Sequence, residues 1–461
     1  MSAISKEIIR FCFDLEYKAL PVHTVKMVKM ALLDFLGVAI RGSLTDSAQI
    51  VMKFVKKSAP KGRFPIIGSK YLTSPEYAAL ANGVAAHSIE LDDIHKDASL
   101  HPGVVIFPAA LAAAKLARST GKDFIVAVVL GYEIMVRLGM SLGPEEHYAH
   151  GFHPTATCGV FGSTVAVAKL LGLDKKQMSY ALGIAGSMTS GLREYHSEGA
   201  WTKRLHPGWA AHNGILASFL AREGFTGPLQ VIEGKNGFLR SYSDSPRPEQ
   251  VCQHLGSSYA ISSISFKLHA CCRFKHAPID GILKIVKEHN LKPEEIKKIK
   301  LGILSVAFPA IVEPVEVKYN PRSVSVAQFS MPYGAAISIL KRRASLEEYE
   351  EKYLDSKEVN NLMQRVECFR DPSLDAAFPT QWPATIQIET SDGKTLEIFV
   401  PHPKGDPENP LSWRELEEKF RQLSALLYSH QEQNKLIDRV KDLDELSDIS
   451  KLYNPLIRRQ R

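Results

Sequence analysis

The stretch Phe124–Leu138, which reads FIVAVVLGYEIMVRL, is apolar on nearly every side when it is drawn as a helix. A helix on the surface of a domain keeps one polar face, so a helix without one belongs in the interior among other helices. Further runs rich in small and aliphatic residues occur at 25–40, 75–87, 107–117 and 163–171. We therefore predict that the first part of the chain folds as a domain of packed helices.

The pattern changes after about residue 261, where alternating apolar residues replace helical spacing. Lys298–Ile303 alternates as a half-buried strand does. Ala384–Ile388 and Thr395–Val400 also alternate, and they flank Asp392-Gly393, a dipeptide typical of hairpin turns. Together with the helical stretches between them, these strands predict a smaller α+β domain.

The last part of the chain returns to amphipathic helices at 413–427 and 433–443. We expect these helices to pack back on the first domain. The predicted fold is mainly α, with a large helical domain formed by residues 1–262 and 404–461 and an inserted α+β lid domain at 263–403. Because ligand sites often lie where domains meet, we expect the active site at the junction.

Composition limits the class of protein. Hydrophobic residues make up 45% of the 461 residues and charged residues 23%, which is typical of a globular protein. The net charge of +7 includes no long basic tract, so we expect no nucleic-acid partner. The six cysteines form no CxxC pair, as in proteins of a reducing compartment. We see no signal peptide and no apolar run of about 20 residues, and therefore expect a cytoplasmic protein without a membrane segment.

Acidic residues and a histidine precede one of the apolar helices. Glu90, Asp92 and Asp93 are followed by His101. A helix N-terminus carries positive potential, so it stabilises carboxylates and binds anionic ligands. This pattern predicts part of an active site, and the alternative is a helix cap with surface charges.

Asp and His at this density also suit a zinc or iron site. His147, His150 and His153 would add ligands if they lay on one helix. Gly151 and Pro154 argue against a helix there, and the spacing matches no common metal template. We therefore favour a site without metal.

Three further segments carry groups suited to acid–base chemistry or to carboxylate binding. His153 stands at the entry of a helix of small residues, where it suits a general base, although a turn residue is the alternative. Lys203 and Arg204 precede another such helix and would clamp a carboxylate, unless they belong to an ordinary basic loop. Arg273 and His276 follow two adjacent cysteines, and they either face the substrate at a domain hinge or form a basic surface turn.

Nucleotide cofactors and serine-hydrolase chemistry find no support in the sequence. Neither GxGxxG nor a Walker A sequence occurs. Gly139–Gly143 has the letters of a nucleophile elbow, but a helical run precedes it and Pro144 follows it, whereas an elbow needs a strand and then a helix.

Taken together, the segments resemble the MmgE/PrpD family, whose members include 2-methylcitrate dehydratases, cis-aconitate decarboxylases and iminodisuccinate epimerases. The matching motifs, in chain order, are Leu33–Ala39, Leu91-Asp92-Asp93, His101-Pro102-Gly103, Gly151–Pro154, Thr202–His206 and Lys404–Pro410. Their order along nearly the whole chain makes the resemblance specific.

The resemblance implies a helical domain built from both ends of the chain, an inserted lid domain, a homodimer, and a pocket without metal or organic cofactor. It also implies the residues of the pocket, including Tyr319 as a lid tyrosine. The residues assigned to catalysis are His153, His101, Asp93 and Lys203, and those assigned to substrate binding are Glu90, Asp92, Arg204, Arg273, His276 and Tyr319. One departure concerns substrate choice, because Ile94 stands where the family pattern usually has a Thr.

The chemistry that these residues suit is removal of a proton from a carbon next to a carboxylate of a small polycarboxylate. Lys203, Arg273 and His101 would stabilise the enediolate that forms. His153 would be the general base, and Asp93 or His101 would be the acid. Protonation of a departing hydroxide gives dehydration, return of a proton to carbon gives epimerisation, and loss of a carboxylate gives decarboxylation.

The first hypothesis is a lyase of the 2-methylcitrate dehydratase kind. The alternatives are an epimerase or isomerase of an imino- or amino-dicarboxylate, a lyase of the cis-aconitate decarboxylase kind, and a binding protein for carboxylates without catalytic activity.

Overall fold

The computed structural model describes residues 3–195, 199–453 and 456. Helices account for 58% of the chain and strands for 9%, so the fold is mainly α, as the sequence predicts.

The chain divides into two compact units. The helical unit draws on 1–88, 92–264 and 412–461, and the smaller unit draws on 89–91 and 265–411. The smaller unit therefore interrupts the helical unit along the sequence at 265–411, and it also takes the short segment that contains Glu90.

The helices of the helical unit before the insertion are α1 (Ala3–Asp14), α2 (Val22–Gly42), α3 (Asp46–Ser58), α4 (Pro75–His87), α5 (Gly103–Ala117), α6 (Gly121–Leu142), α7 (Pro144–Ala149), α8 (Pro154–Thr157), α9 (Gly159–Leu170), α10 (Lys175–Gly186), α11 (Thr202–Arg222), α12 (Phe238–Tyr242) and α13 (Glu249–Cys252). Those of the smaller unit are α14 (His276–Glu288), α15 (Phe308–Ile311), α16 (Val315–Lys318), α17 (Val324–Gln328), α18 (Met331–Lys341), α19 (Lys357–Met363) and α20 (Pro372–Asp375). The helical unit resumes with α21 (Trp413–Ser424) and α22 (His430–Lys441). The strands are β1 (Lys61–Pro65), β2 (Leu72–Thr73), β3 (Ile94–His95), β4 (Ile264–Ser265), β5 (Ile296–Ile303), β6 (Val366–Arg370), β7 (Ala384–Thr390) and β8 (Thr395–Val400).

Helix α6 is buried along most of its length. Its two charged residues near the middle form an ion pair inside the core, in which Arg137 Nε donates to Glu133 Oε1 at 2.6 Å. By length and composition this helix would also suit a membrane span, but 94% of its most apolar window is buried inside the protein. The expectation that the chain has no apolar run of about 20 residues is therefore wrong. Glu133 and Arg137 break the run of apolar residues in the sequence, but they pair with each other and give the helix no polar face.

Helices α4 and α11 approach each other closely because glycine faces glycine. A Cβ atom on Gly83 would lie 2.7 Å from the Cα of Gly208. The last turn of α4, which ends at His87, lies beside the first turns of α11, and the charge of His87 acts on His206 of α11. This close approach places histidines from two helices together.

The first and last parts of the chain meet inside the helical unit. Helix α21 packs on α2, and Lys419 Nζ lies 2.6 Å from Asp34 Oδ1. Both side chains are buried, so the ion pair compensates charge inside the protein. The pair joins two positions that are 385 residues apart.

The smaller unit contains a four-stranded sheet in the order β6-β5-β7-β8. Strands β5 and β6 are parallel, and the other neighbours are antiparallel. Strands β7 and β8 form a hairpin across Asp392-Gly393, and Gly393 adopts a φ of +87°. Helix α14 packs against the sheet at Gly281, where a Cβ atom would lie 2.4 Å from Ile386 Cδ1.

Candidate active site

Most of the predicted catalytic side chains lie at helix ends of the helical unit. His101 stands two residues before α5, and His153 is the residue that immediately precedes α8. Lys203 lies in the first turn of α11. All three side chains are buried, with at most 8% of each residue exposed.

Asp92 lies between two histidines. Its Oδ2 atom is 2.8 Å from His87 Nδ1 and 3.0 Å from His101 Nδ1. Burial raises the pKa of Asp92, but the charges and hydrogen bonds of His87 and His101 outweigh burial and hold the pKa well below its usual value. Asp92 is therefore a carboxylate that accepts hydrogen bonds from both rings.

The hydrogen bonds of His101 define which of its nitrogens carries a proton. His101 Nδ1 lies 2.8 Å from the backbone oxygen of Asp93 and 3.0 Å from Asp92 Oδ2. Because both oxygens are acceptors, Nδ1 is the donor. In the neutral ring, Nε2 then carries a lone pair. In the imidazolium, which the Asp92 carboxylate stabilises, Nε2 carries a proton that it can donate.

The surroundings of His153 favour a neutral ring, in contrast to those of His101. Its ring stacks on that of His87 with centroids 6.1 Å apart, and its Nδ1 lies 3.0 Å from Nδ1 of His206. Burial lowers the pKa of His153 well below its usual value, and the charges of His206, Lys203, His87 and His101 lower it further. His153 is therefore a neutral ring at physiological pH, as a general base must be.

Asp93 faces the helical core and not the histidines. Its carboxyl group accepts hydrogen bonds from the backbone N–H of Gly103 at 3.0 Å and from the hydroxyl of Tyr132 at 2.8 Å. Burial raises its pKa to about 8, and the charge of Asp34 contributes to the increase. The carboxyl group of Asp93 thus binds the first N–H of α5, and Asp92 is the acid that lies between the two rings. His101 therefore fits the acid role better than Asp93.

Lys203 and Arg204 point in different directions, as neighbours on a helix must. The charge of Lys203 acts on His153. The guanidinium of Arg204 donates to the Ser47 hydroxyl at 3.2 Å and lies 5.8 Å from the centroid of the Trp201 ring. Arg204 therefore contacts α3 through Ser47, and its role in substrate binding stays a prediction.

The smaller unit holds its own group of buried charges. Glu90 adopts a left-handed backbone with a φ of +56°, and its Oε2 lies 3.6 Å from Lys267 Nζ. Arg273 forms an ion pair with Asp406 through Nη2. Nε and Nη1 of Arg273 and Nε2 of His276 have no hydrogen-bond partner among the described residues, although all three atoms are buried.

The buried Nε and Nη1 donors of Arg273 suit an anion, because a buried N–H without an acceptor costs about 1–3 kcal/mol. Burial lowers the pKa of His276 well below its usual value, and the charges of Arg273, His269 and Lys267 lower it further. The smaller unit therefore offers Arg273 as a cationic donor and His276 as a neutral ring, which together suit a carboxylate ligand.

Tyr319 is engaged elsewhere in the smaller unit. Its hydroxyl donates to the backbone oxygen of Val366 in strand β6 at 2.8 Å. Burial raises the pKa of this phenol, with further increase from Cys368, so the hydroxyl stays protonated. This hydrogen bond commits the Tyr319 hydroxyl to the sheet, and it does not place the group beside Arg273 or His276.

One group of buried side chains around Asp92 lies close enough together to be considered as a metal site. Ligand atoms of His87, Asp92 and His101 all lie within 4.8 Å of one another. However, both Nδ1 atoms approach the same carboxylate oxygen at hydrogen-bond distance, as N–H donors do, and do not converge on a separate point. The second predicted set is dispersed, because His147 bonds to Thr157 and the ring of His150 bonds to Asp244 on the surface.

Sequence reasoning missed four residues that the structure brings to the two groups: His87, His206, Tyr132 and Lys267. Two signals were available, since His206 belongs to the Thr202–His206 motif and Lys267 opens the segment that leads to Arg273. The pairing of Tyr132 with Asp93 across 39 positions left no local signal.

The cluster of buried histidines, a carboxylate and a lysine in the helical unit suits acid–base chemistry. Residues 6–251 match the MmgE/PrpD N-terminal domain, and residues 269–445 match the MmgE/PrpD C-terminal domain. The chain belongs to the MmgE/PrpD family, which confirms the resemblance, and it is an enzyme of the lyase type.

Its relatives carry two activities in their names. The cis-aconitate decarboxylase of Aspergillus terreus is 28% identical over 476 residues, which cover 99% of this chain and 96% of the relative. The cis-aconitate decarboxylase of Homo sapiens is 29% identical over 441 residues, which cover 93% and 89%. The 2-methylcitrate dehydratase of Salmonella typhimurium is 22% identical over 293 residues, which cover 60% and 59%.

Proposed function

We propose that this protein is a cofactor-independent lyase that breaks a bond next to a carboxylate of a small polycarboxylate, and that it acts as a decarboxylase of the cis-aconitate decarboxylase kind. The observation that carries the proposal is the pair His101 and His153. Both rings contact His87, yet Asp92 favours the charged form of one and burial favours the neutral form of the other. Two groups with opposite protonation preferences are what acid–base catalysis at one pH requires.

The choice of decarboxylation over dehydration rests on the relatives. The decarboxylases match nearly end to end, whereas the dehydratase matches over 60% of this chain at lower identity. We therefore place the dehydratase-like reaction, which was the first hypothesis from sequence, second. Ile94 stands where the family pattern usually has a Thr, and the loss of that hydroxyl would alter which polycarboxylate fits.

Decarboxylation requires a proton donor and cationic contacts to the remaining carboxylates. The carbon–carbon bond to one carboxylate breaks, carbon dioxide leaves, and the electron pair stays on the conjugated acid. A carbon of that acid then takes a proton, for which His101 with Asp92 behind it is the donor. Lys203 would stabilise the negative charge that develops on the substrate.

Dehydration would use the same groups in another order. His153 would remove the proton next to a carboxylate, and His101 would protonate the hydroxide that leaves. The partial match to the 2-methylcitrate dehydratase supports this second candidate. We also propose that the enzyme works without metal or organic cofactor, in the cytoplasm.

A proton-NMR screen in deuterated water separates these reactions. We expect cis-aconitate to be consumed with release of carbon dioxide, and the product to carry deuterium on one carbon. Full activity should remain after exhaustive chelation. Turnover of 2-methylcitrate without carbon dioxide would instead establish the dehydratase, and deuterium exchange without bond cleavage would establish an epimerase. Binding of these acids with no chemical change in any of them would contradict the proposal.

A further inference from the structure

The two rings of His153 and His206 share one hydrogen bond. Their Nδ1 atoms are 3.0 Å apart, and the ring centroids are 5.2 Å apart. A hydrogen bond between two imidazole nitrogens needs one N–H and one lone pair, so the two rings must hold opposite states at Nδ1. The state of one ring therefore fixes the tautomer of the other.

From this contact we infer that His206 is a positioning residue, which accepts the Nδ1–H of His153 and thereby leaves the lone pair of His153 on Nε2 as the base. The inference deepens the proposed function, and for the catalytic role of His153 it rests on the dehydration, the second candidate reaction, in which His153 removes the proton. No contact of His206 with the substrate is required.

Burial of the two rings favours this direction of the hydrogen bond. Only 3% of His153 is exposed, whereas His206 is half-buried. With both rings neutral, the ring that accepts at Nδ1 carries its own proton on Nε2. An N–H on the half-buried ring can bond to water, whereas an N–H on the fully buried ring would lack that option. The second N–H therefore belongs on His206.

The charges around His153 favour the same direction. The titratable and aromatic groups that face the ring come from every neighbouring element and are His87 of α4, His101 before α5, Tyr195, and Lys203 and His206 of α11. Positive charge on Lys203 or His101 attracts a lone pair and repels an N–H. A lone pair on Nε2 is thus the more stable arrangement for His153.

A neutral imidazole behind His153 affects the pKa of that ring differently from a carboxylate. A carboxylate behind a histidine raises the pKa of the ring. A neutral imidazole holds the ring and its tautomer without adding negative charge. His206 can therefore orient the base while His153 stays unprotonated at physiological pH.

The test compares three variants of the full-length enzyme. In His206→Asn the amide oxygen can still accept from His153, in His206→Leu no acceptor remains, and in His206→Asp the acceptor is charged. We expect kcat of His206→Leu to fall roughly 100-fold, within the range that general-base catalysis contributes, with KM little changed. His206→Asn should recover most of this loss, and His206→Asp should move the acidic limb of the kcat/KM profile to higher pH.

The tautomer itself can be measured without substrate. In wild-type enzyme labelled with ¹⁵N-histidine, we expect Nδ1 of His153 to be protonated and Nε2 to be unprotonated, with His153→Ala used to assign the signals. A proton on Nε2 of His153 would overturn the inference, as would equal activity of the Asn and Leu variants with one common pH profile. Because the tautomer is read without turnover, failure of the proposed reaction would leave this result intact and distinguishable.

Discussion

His101 and His153 contact the same third ring, yet they differ in what lies behind their Nδ1 atoms. A carboxylate stands behind His101, and another imidazole stands behind His153. In the proposed mechanism, this difference of one functional group separates the proton donor from the proton acceptor. The roles therefore follow from the partner of each histidine more than from the histidine itself.

Replacement of His153 by Ala tests the base. We expect turnover to fall by about 10²–10⁴-fold, since a positioned general base contributes on that order. The thermal unfolding temperature should stay close to that of the wild type, because His206 is the one hydrogen-bond partner of the ring among the described residues. His150→Ala is the matched control, since that ring bonds to Asp244 at the surface and should be dispensable. Equal turnover of the two variants would remove His153 from the mechanism.

Replacement of Asp93 by Asn tests the buried carboxyl group. Its pKa is about 8 in the folded protein against about 4 in the unfolded chain. A raised carboxyl pKa means that ionisation disfavours the folded state, with no cost below pH 4 and a cost that grows until about pH 8. The Asn variant has no such cost, so its melting temperature relative to the wild type should rise between pH 5 and pH 8. A difference that stays constant over this range would show that Asp93 is ionised throughout.

At the scale of elements, the contact of α4 with α11 holds the histidines together. Gly83→Ala would place a methyl group 2.7 Å from the Cα of Gly208, where only backbone could move aside. We expect a loss of about 1–3 kcal/mol in the free energy of unfolding and lower turnover, because α4 also carries His87.

Gly37→Ala in α2 is the matched control for this helix contact. Its added methyl group would meet Leu423 Cδ1 at 3.4 Å, an ordinary contact, while Ala favours the helix by up to about 1 kcal/mol over Gly. Chemical denaturation of both variants measures the difference. Equal stability of the two variants would show that the α4–α11 contact is not tight.

The helices were predictable because their signal is local, whereas the site was predictable only in part. Apolar runs identify a buried helix such as α6 without any knowledge of its neighbours. The choice between Asp92 and Asp93, or between Lys203 and Arg204, depends on which of two adjacent side chains turns inward, and no local pattern settles that. The partners His87 and His206 come from separate helices and become visible only when α4 and α11 pack.

At the scale of the whole molecule, the homodimer implied by family resemblance stays a prediction. An exposed apolar face of the helical unit suits a second copy. On α11, Trp209 is 43% exposed and Leu205 is 40% exposed, while on α3 Phe54 is 50% exposed and Ile50 is 54% exposed. Ring contacts connect the two helices through Tyr77 and His212.

Trp209→Glu should therefore convert the dimer to a monomer, because a carboxylate at the centre of an apolar interface would be buried without a partner. Light scattering during size-exclusion chromatography measures the mass of the wild type and the variant. Phe399→Glu is the matched control, since Phe399 of β8 is 54% exposed and lies in the smaller unit. A monomeric wild type, or a dimeric Trp209→Glu variant, would contradict this assignment of the interface.

The ion pair between Asp34 and Lys419 has a consequence for the folding of the protein during its synthesis on the ribosome. When residue 264 emerges, the helical unit still lacks α21, and about 150 residues remain to be translated before Lys419 exists. At roughly 5–20 residues per second this interval lasts on the order of 10 s, during which α2 lacks its contact with α21. We therefore expect the nascent chain to bind chaperones during synthesis of the smaller unit, and the helical unit to complete its core only after translation has nearly finished.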